Sequence, residues 1–364
     1  MTELRLCEEY PAQTLLAPTI DVLLAPVQSA AHWVQQHRGA ASLIYADPPF
    51  ATGARFPLRL GGQASSLARF DDLEGDASTL VESLHEELAA MVAALEPRGS
   101  LLLHCDPRTS PYFAVALDGL LGSGERRRGS RSAGFRNELV WAYGLGGSSP
   151  TSWPRKHDSI LWYSRGAEWT FEAPRIPASS ARMKGQDKKM TDVLNIPSLN
   201  NMAAERSGYP TQKPLELLEL LVDAHTQAGA LVFDPFAGSG TTGVACSRLG
   251  RACVLSDHSE DAVAVCRGRL LIAGAGVRIW RRTSAVGSLS RGVGAGCSEA
   301  GGWHLAVQGD LDPAGCLRAR RWVVLPTRSP GRCDDPWSTE ADAGPTWFWR
   351  TGDVGATAAV SPGD

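Results

Sequence analysis

Apolar positions along this chain fall into two rhythms, short unbroken runs and three-to-four-residue repeats, and the two alternate. The run at 42–47, SLIYAD, reads as a buried strand that ends in a carboxylate and is closed by Pro48 and Pro49. Leu80, Leu84, Leu88, Met91 and Leu95 then recur at helical steps, predicting one helix that Pro97 and Gly99 end. A strand follows at SLLLHCD, and a helix is predicted over 111–121. The runs NELVWAY (137–143) and DSILWYS (158–164) read as buried strands on either side of the loop GLGGSSPTSWPRKH.

From 165 to 210 the periodicity fades and polar, basic and proline residues dominate, which predicts a loop-rich insert. Regularity returns with the amphipathic helix KPLELLELLVDAHT, the strand ALVFD (230–234) and the glycine turn GSGTTG. The helix VACSRL, the strand ACVLSD (252–257) and the helix DAVAVCRGRL complete a βαβ unit. This alternation predicts an α/β fold on a doubly wound, largely parallel sheet. Beyond about residue 271 lysine disappears, while arginine, glycine and tryptophan are scattered among prolines. Short runs at 320–326 and 346–351 suit strands of a small β appendage, and the same composition suits a tail with no core of its own.

Composition narrows the class. The 364 residues are 43% hydrophobic and 21% charged, ordinary for a soluble chain of about two domains. No window approaches the roughly 18 unbroken apolar residues of a membrane helix. The N-terminus, MTELRLCEEYPAQ, lacks the basic start and apolar core of a secretory signal, so a cytoplasmic protein is expected. Eight cysteines are scattered without zinc spacing, so no metal site is expected. A net charge of -3 gives no global attraction to nucleic acid, and any such contact has to come from a local patch. Two candidates stand out: Arg126, Arg127, Arg128, Arg131 and Arg136 in a Gly/Ser-rich run, and Arg182, Lys184, Lys188 and Lys189 in the insert.

Three constellations carry chemistry. Gly238, Gly240 and Gly243 spell GxGxxG between a strand and a helix, with Asp257 at the tip of the next strand, where a carboxylate can hold both hydroxyls of a ribose. That much suits NAD as well as any adenosine cofactor. Asp234 and Phe236 precede the turn, however, and a carboxylate there repels a pyrophosphate but welcomes a cation, which favours the sulfonium and amino group of S-adenosylmethionine. Asp47, Pro48, Pro49 and Phe50 form the second constellation. Two prolines remove two donors, leaving a carboxylate and carbonyls as acceptors for an exocyclic amine beside a stacking ring. In the third, Thr211 and Lys213 open an amphipathic helix whose N-terminus suits an anion such as a methionine carboxylate.

Together, DPPFATG, PTQKPLELLELL and DPFAGSGTTGVAC resemble the amino-methylating DNA methyltransferases of the β arrangement, the N6-adenine and N4-cytosine family, over roughly 41–270. The resemblance implies a Rossmann-like S-adenosylmethionine-dependent sheet. The N-terminal segment 1–40 precedes an acceptor half at 41–164, a target recognition insert at 165–210, a cofactor half at 211–270 and a C-terminal stretch at 271–364. It assigns Asp47, Pro48, Pro49 and Phe50 to the target-base pocket. Asp234, Phe236, Gly238, Gly240 and Asp257 are assigned to the cofactor, with Thr211 and Lys213 at its methionine end. Double-stranded DNA is the implied partner, a restriction endonuclease is a compatible companion, and methyl transfer needs neither metal nor covalent intermediate. The leading Asp47, where N4 enzymes of the family usually have Ser, favours adenine N6. Phe50 and Ala51 depart from the family's more usual Tyr and Asn, which keeps cytosine N4 and a DNA-binding relative without activity as alternatives.

Overall fold

The computed structural model describes residues 3–14, 17–50, 55–60, 63–71, 76–124, 132–144, 148–178, 185–200 and 203–282, and three strands beyond residue 300. In chain order, β1 (Leu4–Tyr10), β2 (Thr19–Leu24), α1 (Val27–His37) and β3 (Ala41–Ala46) lead into a hairpin of β4 (Arg55–Leu60) and β5 (Gln63–Asp71). The helices α2 (Ala77–Ser83) and α3 (His85–Ala94), the strand β6 (Leu95–Cys105) and α4 (Ser110–Leu121) follow, then β7 (Gly134–Ala142) and β8 (His157–Ser164). Short strands β9 (Arg175–Pro177), β10 (Asp187–Lys189) and β11 (Val193–Leu194) precede α5 (Leu215–His225). The chain continues through β12 (Leu231–Asp234), α6 (Thr241–Leu249), β13 (Ala252–Asp257), α7 (Glu260–Ile272) and β14 (Gly276–Arg282). Finally β15 (Trp303–Leu311), β16 (Leu317–Pro326) and β17 (Thr346–Phe348) pair in a small separate sheet.

Ten strands form one sheet in the order β1-β14-β2-β13-β12-β3-β6-β8-β7-β11. From β14 to β6 every neighbour is parallel, and these strands read as nearly continuous apolar runs because helices cover both faces. Alternate side chains enter separate cores. Leu43, Tyr45, Leu102 and Val232 pack with α5, α6 and α7, whereas Ile44, Leu101, Leu103 and Phe233 pack with α1, α3 and α4. The α/β, doubly wound expectation therefore holds. Among the described residues no helix is long and apolar enough to cross a membrane.

Several local readings change. The helix expected across Leu80–Leu95 is two helices, because the Leu84 N–H bonds both Leu80 O and Val81 O and tightens the turn. Leu95 already has extended backbone and begins β6. The runs 137–143 and 158–164 lie in an antiparallel pair, with β8 reversed against β6. The sheet also extends past the expected 41–270, since β2 and β14 continue it beside β13 and β1 closes its edge. Arg136, grouped above with a basic patch, is buried. Its Nε donates to Ser164 Oγ at 2.8 Å and its guanidinium lies 3.7 Å from the centre of the Trp169 ring. It ties the sheet to the 165–170 segment rather than offering charge to a partner. Arg126, Arg127, Arg128, Arg131, Arg182, Lys184 and Ala51 lie outside the described residues.

One fully buried carboxylate locks the added edge. Asp21 on β2 accepts from Arg38 Nε at 2.8 Å, Arg278 Nε at 2.7 Å and Trp280 Nε1 at 3.0 Å. Removing it strands two partly buried guanidiniums beside an apolar sheet. Asp21→Ala is expected to lower the unfolding free energy by roughly 2–4 kcal/mol in urea titrations. A loss below about 0.5 kcal/mol, the scale of an ordinary surface substitution, would show that β14 needs no such tie.

Candidate active site

Because β2, β13, β12, β3 and β6 are parallel, their carboxyl ends share one edge, and four of them end in or beside an aspartate: Asp257, Asp234, Asp47 and Asp106. The sheet reverses its winding between β12 and β3, so Asp234 and Asp47 flank the crevice where such sheets hold ligands. The three predicted constellations thus meet at one place although they are far apart in sequence.

Asp47 is paired with Lys213, whose Nζ donates to Asp47 Oδ2 at 2.5 Å and lies 5.2 Å from the centre of the Phe50 ring. The lysine therefore bridges from the N-terminal end of α5 to the acceptor motif, and its position is tied to the glycine turn by the Thr241 hydroxyl, which donates to Lys213 O at 3.3 Å. Asp47 Oδ1 is buried and has no hydrogen-bond partner among the described residues. Arg108 holds the motif from the other side. Its Nη2 donates to Phe50 O at 3.2 Å while its Nε meets Asp106 at 2.5 Å.

A cleft of about 580 Å³ opens beside this pair, lined by Trp141, Tyr143, Asp158, Asn200, Arg206, Thr211 and Lys213 among others. A buried polar chain that sequence reasoning missed backs its wall. Tyr45 Oη meets His104 Nδ1 at 2.7 Å, and His104 Nε2 meets Asp158 Oδ2 at 3.1 Å. The His104 ring stands edge-on to Trp141 at 5.5 Å and tilted to Phe50 at 6.1 Å, so it positions both aromatic rings. Burial alone would raise Asp158, but the His104 contact and the charge of Lys213 hold it below the usual carboxylate range. Burial raises Tyr143, which faces Asp158, to about 12, so the phenol keeps its proton. The available signal was a histidine inside the apolar run SLLLHCD and an aspartate opening DSILWYS.

On the β12 side, the Asp234 carboxylate accepts from the Thr242 hydroxyl at 2.6 Å and from Phe236 N–H at 3.0 Å. Gly238 and Gly240 have φ of 49° and 73°, and an added Cβ would stand 3.2 Å from the Tyr209 ring and 2.4 Å from Cys266 Sγ. The turn is therefore wrapped tightly between Tyr209 and α7. Asp257 Oδ2 accepts from Gly238 N–H at 2.9 Å, which places the β13 carboxylate against the turn. Arg269, also missed, is buried under the turn and donates to Ser239 O at 2.8 Å and the Thr241 hydroxyl at 2.7 Å. Burial lowers it to about 10, still far above neutral pH.

Asp47 and Asp257 lie close enough to add to the rise of Asp234, and among the described residues Lys213 is the cation paired with the Asp47 carboxylate. A cationic ligand with hydroxyls fits such a crevice: positive charge relieves the repulsion, the glycines admit its close approach, and Asp257 offers acceptors. An additional phosphate would not be relieved in this way.

The expected recognition insert divides in two. Residues 165–173 are pinned at the opposite edge of the sheet, where Arg165 N bonds Gly99 O and Glu172 N bonds Ala224 O at the far end of α5. Arg175, Gln186, Lys188 and Lys189 lie on the β9–β10 hairpin that follows. Only the later part, through Ser198, Asn200, Arg206 and Pro210, lines the cleft.

The DNA methylase family model (N6_N4_Mtase) matches residues 41–267, from β3 into α7. Type II methyltransferase M.HpaI of Haemophilus parainfluenzae is 25% identical over 235 residues, spanning 63% of this chain and 67% of that protein. Type II methyltransferase M2.DpnII of Streptococcus pneumoniae is 27% identical over 244 residues, spanning 63% of this chain and 81% of that protein. The crystal structure of the M1.HpyAVI–SAM complex superposes with a TM-score of 0.48 and 21% identity, covering 69% of this chain and 99% of its own.

Burial raises Asp234 to about 7 against its two hydrogen bonds, with Asp47 and Asp257 adding to the rise. Between the ordinary value of 3.8 and about 7 the folded state therefore holds a proton that the unfolded chain has lost, and stability falls as pH rises through that window. Asp234→Asn keeps an acceptor for Phe236 N–H and removes the ionisation. In ligand-free protein, urea titrations at about pH 5 and pH 8 should show a wild-type decline, up to roughly 3 kcal/mol from this group, that the variant lacks. Identical pH slopes in the two proteins would mean Asp234 stays ionised throughout.

Proposed function

The chain belongs to the DNA methylase family, and from that premise we propose that it methylates the exocyclic amine of a base flipped out of double-stranded DNA, adenine N6 in preference to cytosine N4. The methyl donor is S-adenosylmethionine, which supplies an electrophilic methyl group on a sulfonium. The observation that carries this reading is the buried, unpartnered Asp47 Oδ1 beside Phe50, at the strand end next to the glycine turn.

In this reading Phe50 stacks on the extrahelical base, and Asp47 Oδ1 accepts a hydrogen from its amine. Lys213 occupies the second oxygen and fixes the carboxylate's orientation. As the amine nitrogen bonds to the methyl carbon and the carbon–sulfur bond breaks, the nitrogen becomes cationic, and Asp47 is placed to stabilise that charge and take the proton on to water. Tyr45, His104 and Asp158 hold the surrounding aromatic wall, so the base meets a surface that need not rearrange. Asp234 and Asp257 serve the donor's side of the crevice, with Phe236, Gly238 and Gly240 shaping it and Thr211 at its rim.

The preference for adenine is supported by Asp47 at the head of the acceptor motif. Sequence reading by the insert is supported for the Ser198–Pro210 stretch, which borders the cleft. A restriction endonuclease companion is supported by the Type II designation of M.HpaI and M2.DpnII, and a DNA substrate accords with a cytoplasmic protein. Expression in a host without DNA methylation, followed by single-molecule sequencing, would report both the modified atom and the target sequence. An unmodified genome would overturn the proposal.

Asp47→Ala should abolish methyl transfer to plasmid DNA while changing S-adenosylmethionine affinity by less than about tenfold, since the lost contact is made to the amine. More than a few per cent residual activity would remove Asp47 from the reaction. Asp257→Ala should instead weaken cofactor binding by roughly 1–3 kcal/mol, measured by calorimetry. An unchanged affinity there would take the carboxylate off the ribose.

A further inference from the structure

Trp153 is the most exposed large apolar side chain among the described residues, at 95%. A lone exposed apolar residue needs no explanation, but this one has a built setting. It stands in the loop between β7 and β8, and both ends of that loop are walls of the cleft: Trp141 and Tyr143 precede it and Asp158 follows it. Tyr143 N–H bonds Lys156 O at 3.2 Å and closes the neck of the loop.

The turn that carries the indole is also stiff. Ser149 Oγ accepts from Thr151 N at 3.3 Å, Ser152 N at 3.2 Å and Ser152 Oγ at 3.0 Å, and Pro150 and Pro154 fix the backbone on either side. Arg155 is exposed, and Lys156 follows it. The loop thus presents an exposed apolar ring with adjoining positive charge, and it springs from two walls of the cleft.

We infer that Trp153 is the wedge that enters the duplex and fills the gap left by the flipped base, while Arg155 and Lys156 hold the flanking phosphates. This rests on the base-flipping reading above. Extracting a base costs pairing and stacking, and an inserted ring restores stacking to the neighbours left behind. An indole carried on the hydrogen-bonded Ser149–Ser152 turn makes that insertion with less to order than one on a free chain.

The test compares two duplexes carrying the mapped target sequence, one fully paired and one with an abasic site opposite the target base, where little pairing has to be broken. Trp153→Ala should lower kcat/KM on the paired duplex by about tenfold or more, the scale of one base–aromatic stack. It should recover to within about threefold of wild type on the abasic duplex and leave S-adenosylmethionine affinity unchanged. Trp153→Phe should retain most activity on both. Equal losses on the two duplexes, or no loss, would overturn the wedge. A change in sedimentation with unchanged duplex kinetics would also overturn it and assign the indole to a protein contact. A wild-type enzyme that methylates neither duplex would instead defeat the methyltransferase reading.

Discussion

Holding several carboxylates at the ends of adjacent strands is the constraint on which the site depends. Asp47, Asp234 and Asp257 are brought to one edge by the sheet itself, and each is removed from much of the solvent that would screen it. The protein compensates in two different ways. Asp47 receives a full charge from Lys213, whereas Asp234 receives only neutral donors from Thr242 and Phe236 and is pushed toward protonation. The cofactor side is thus left short of positive charge while the acceptor side is nearly balanced. A cation bound between them gains most against Asp234 and Asp257, and Asp47 keeps one free oxygen for a neutral amine.

The motifs that could be read from the sequence were those in which function is written into contiguous residues. DPPF, the glycine turn and TQKP each place a chemical group at a strand or helix end, and the parallel sheet then gathers strand ends without further instruction. The βαβ unit around the glycine turn was legible for the same reason, as apolar runs of strand length beside glycine. Tyr45, His104 and Asp158 were not legible. They come from three strands, each is isolated in an apolar segment, and only the antiparallel register of β6 with β8 brings His104 to Asp158. Arg269 was hidden inside a helix, and Arg136 looked like surface charge because nothing local reveals that Ser164 and Trp169 enclose it. The boundary at 270 failed to include β14 because its VRIWRR pattern is arginine-rich, and the carboxylates that make it tolerable lie elsewhere in the chain: Asp21 for Arg278, and Glu8 and Glu260 for Arg281.

The antiparallel turn of β7 and β8 gives the cleft its far wall. Parallel strands deliver only their carboxyl ends to the active edge, but a reversed strand delivers its beginning. β8 therefore supplies Asp158 from its start, next to Cys105 at the end of β6, and β7 supplies Trp141 near its end. The connection between them, residues 143–156, leaves and rejoins the sheet at the same edge as Asp47. Both of its ends are walls of the cleft, which is the geometric reason that a turn carried on it can matter there.

The order of the halves along the chain follows from the same geometry. From the crevice between β12 and β3, one branch of the sheet leads outward through β6 and β8 and the other through β13, β2 and β14. The helices divide by face and not by branch, α1, α3 and α4 on one side of the sheet and α5, α6 and α7 on the other. Each layer of core draws side chains from both branches, so the two halves close together whichever of them comes first in the sequence. What must be preserved is the contact at the switch point: Val232 opposite Leu43, Phe233 opposite Ile44, and α5 delivering Lys213 to Asp47. A chain that carries its acceptor motif before its cofactor motif can therefore assemble the same edge as one with the order reversed. The connection between the halves, here residues 165–214, must only be long enough to run from the far end of β8 back to the cleft. It does so through β11, which pairs parallel with β7 and brings the chain up to Ser198 at the cleft wall.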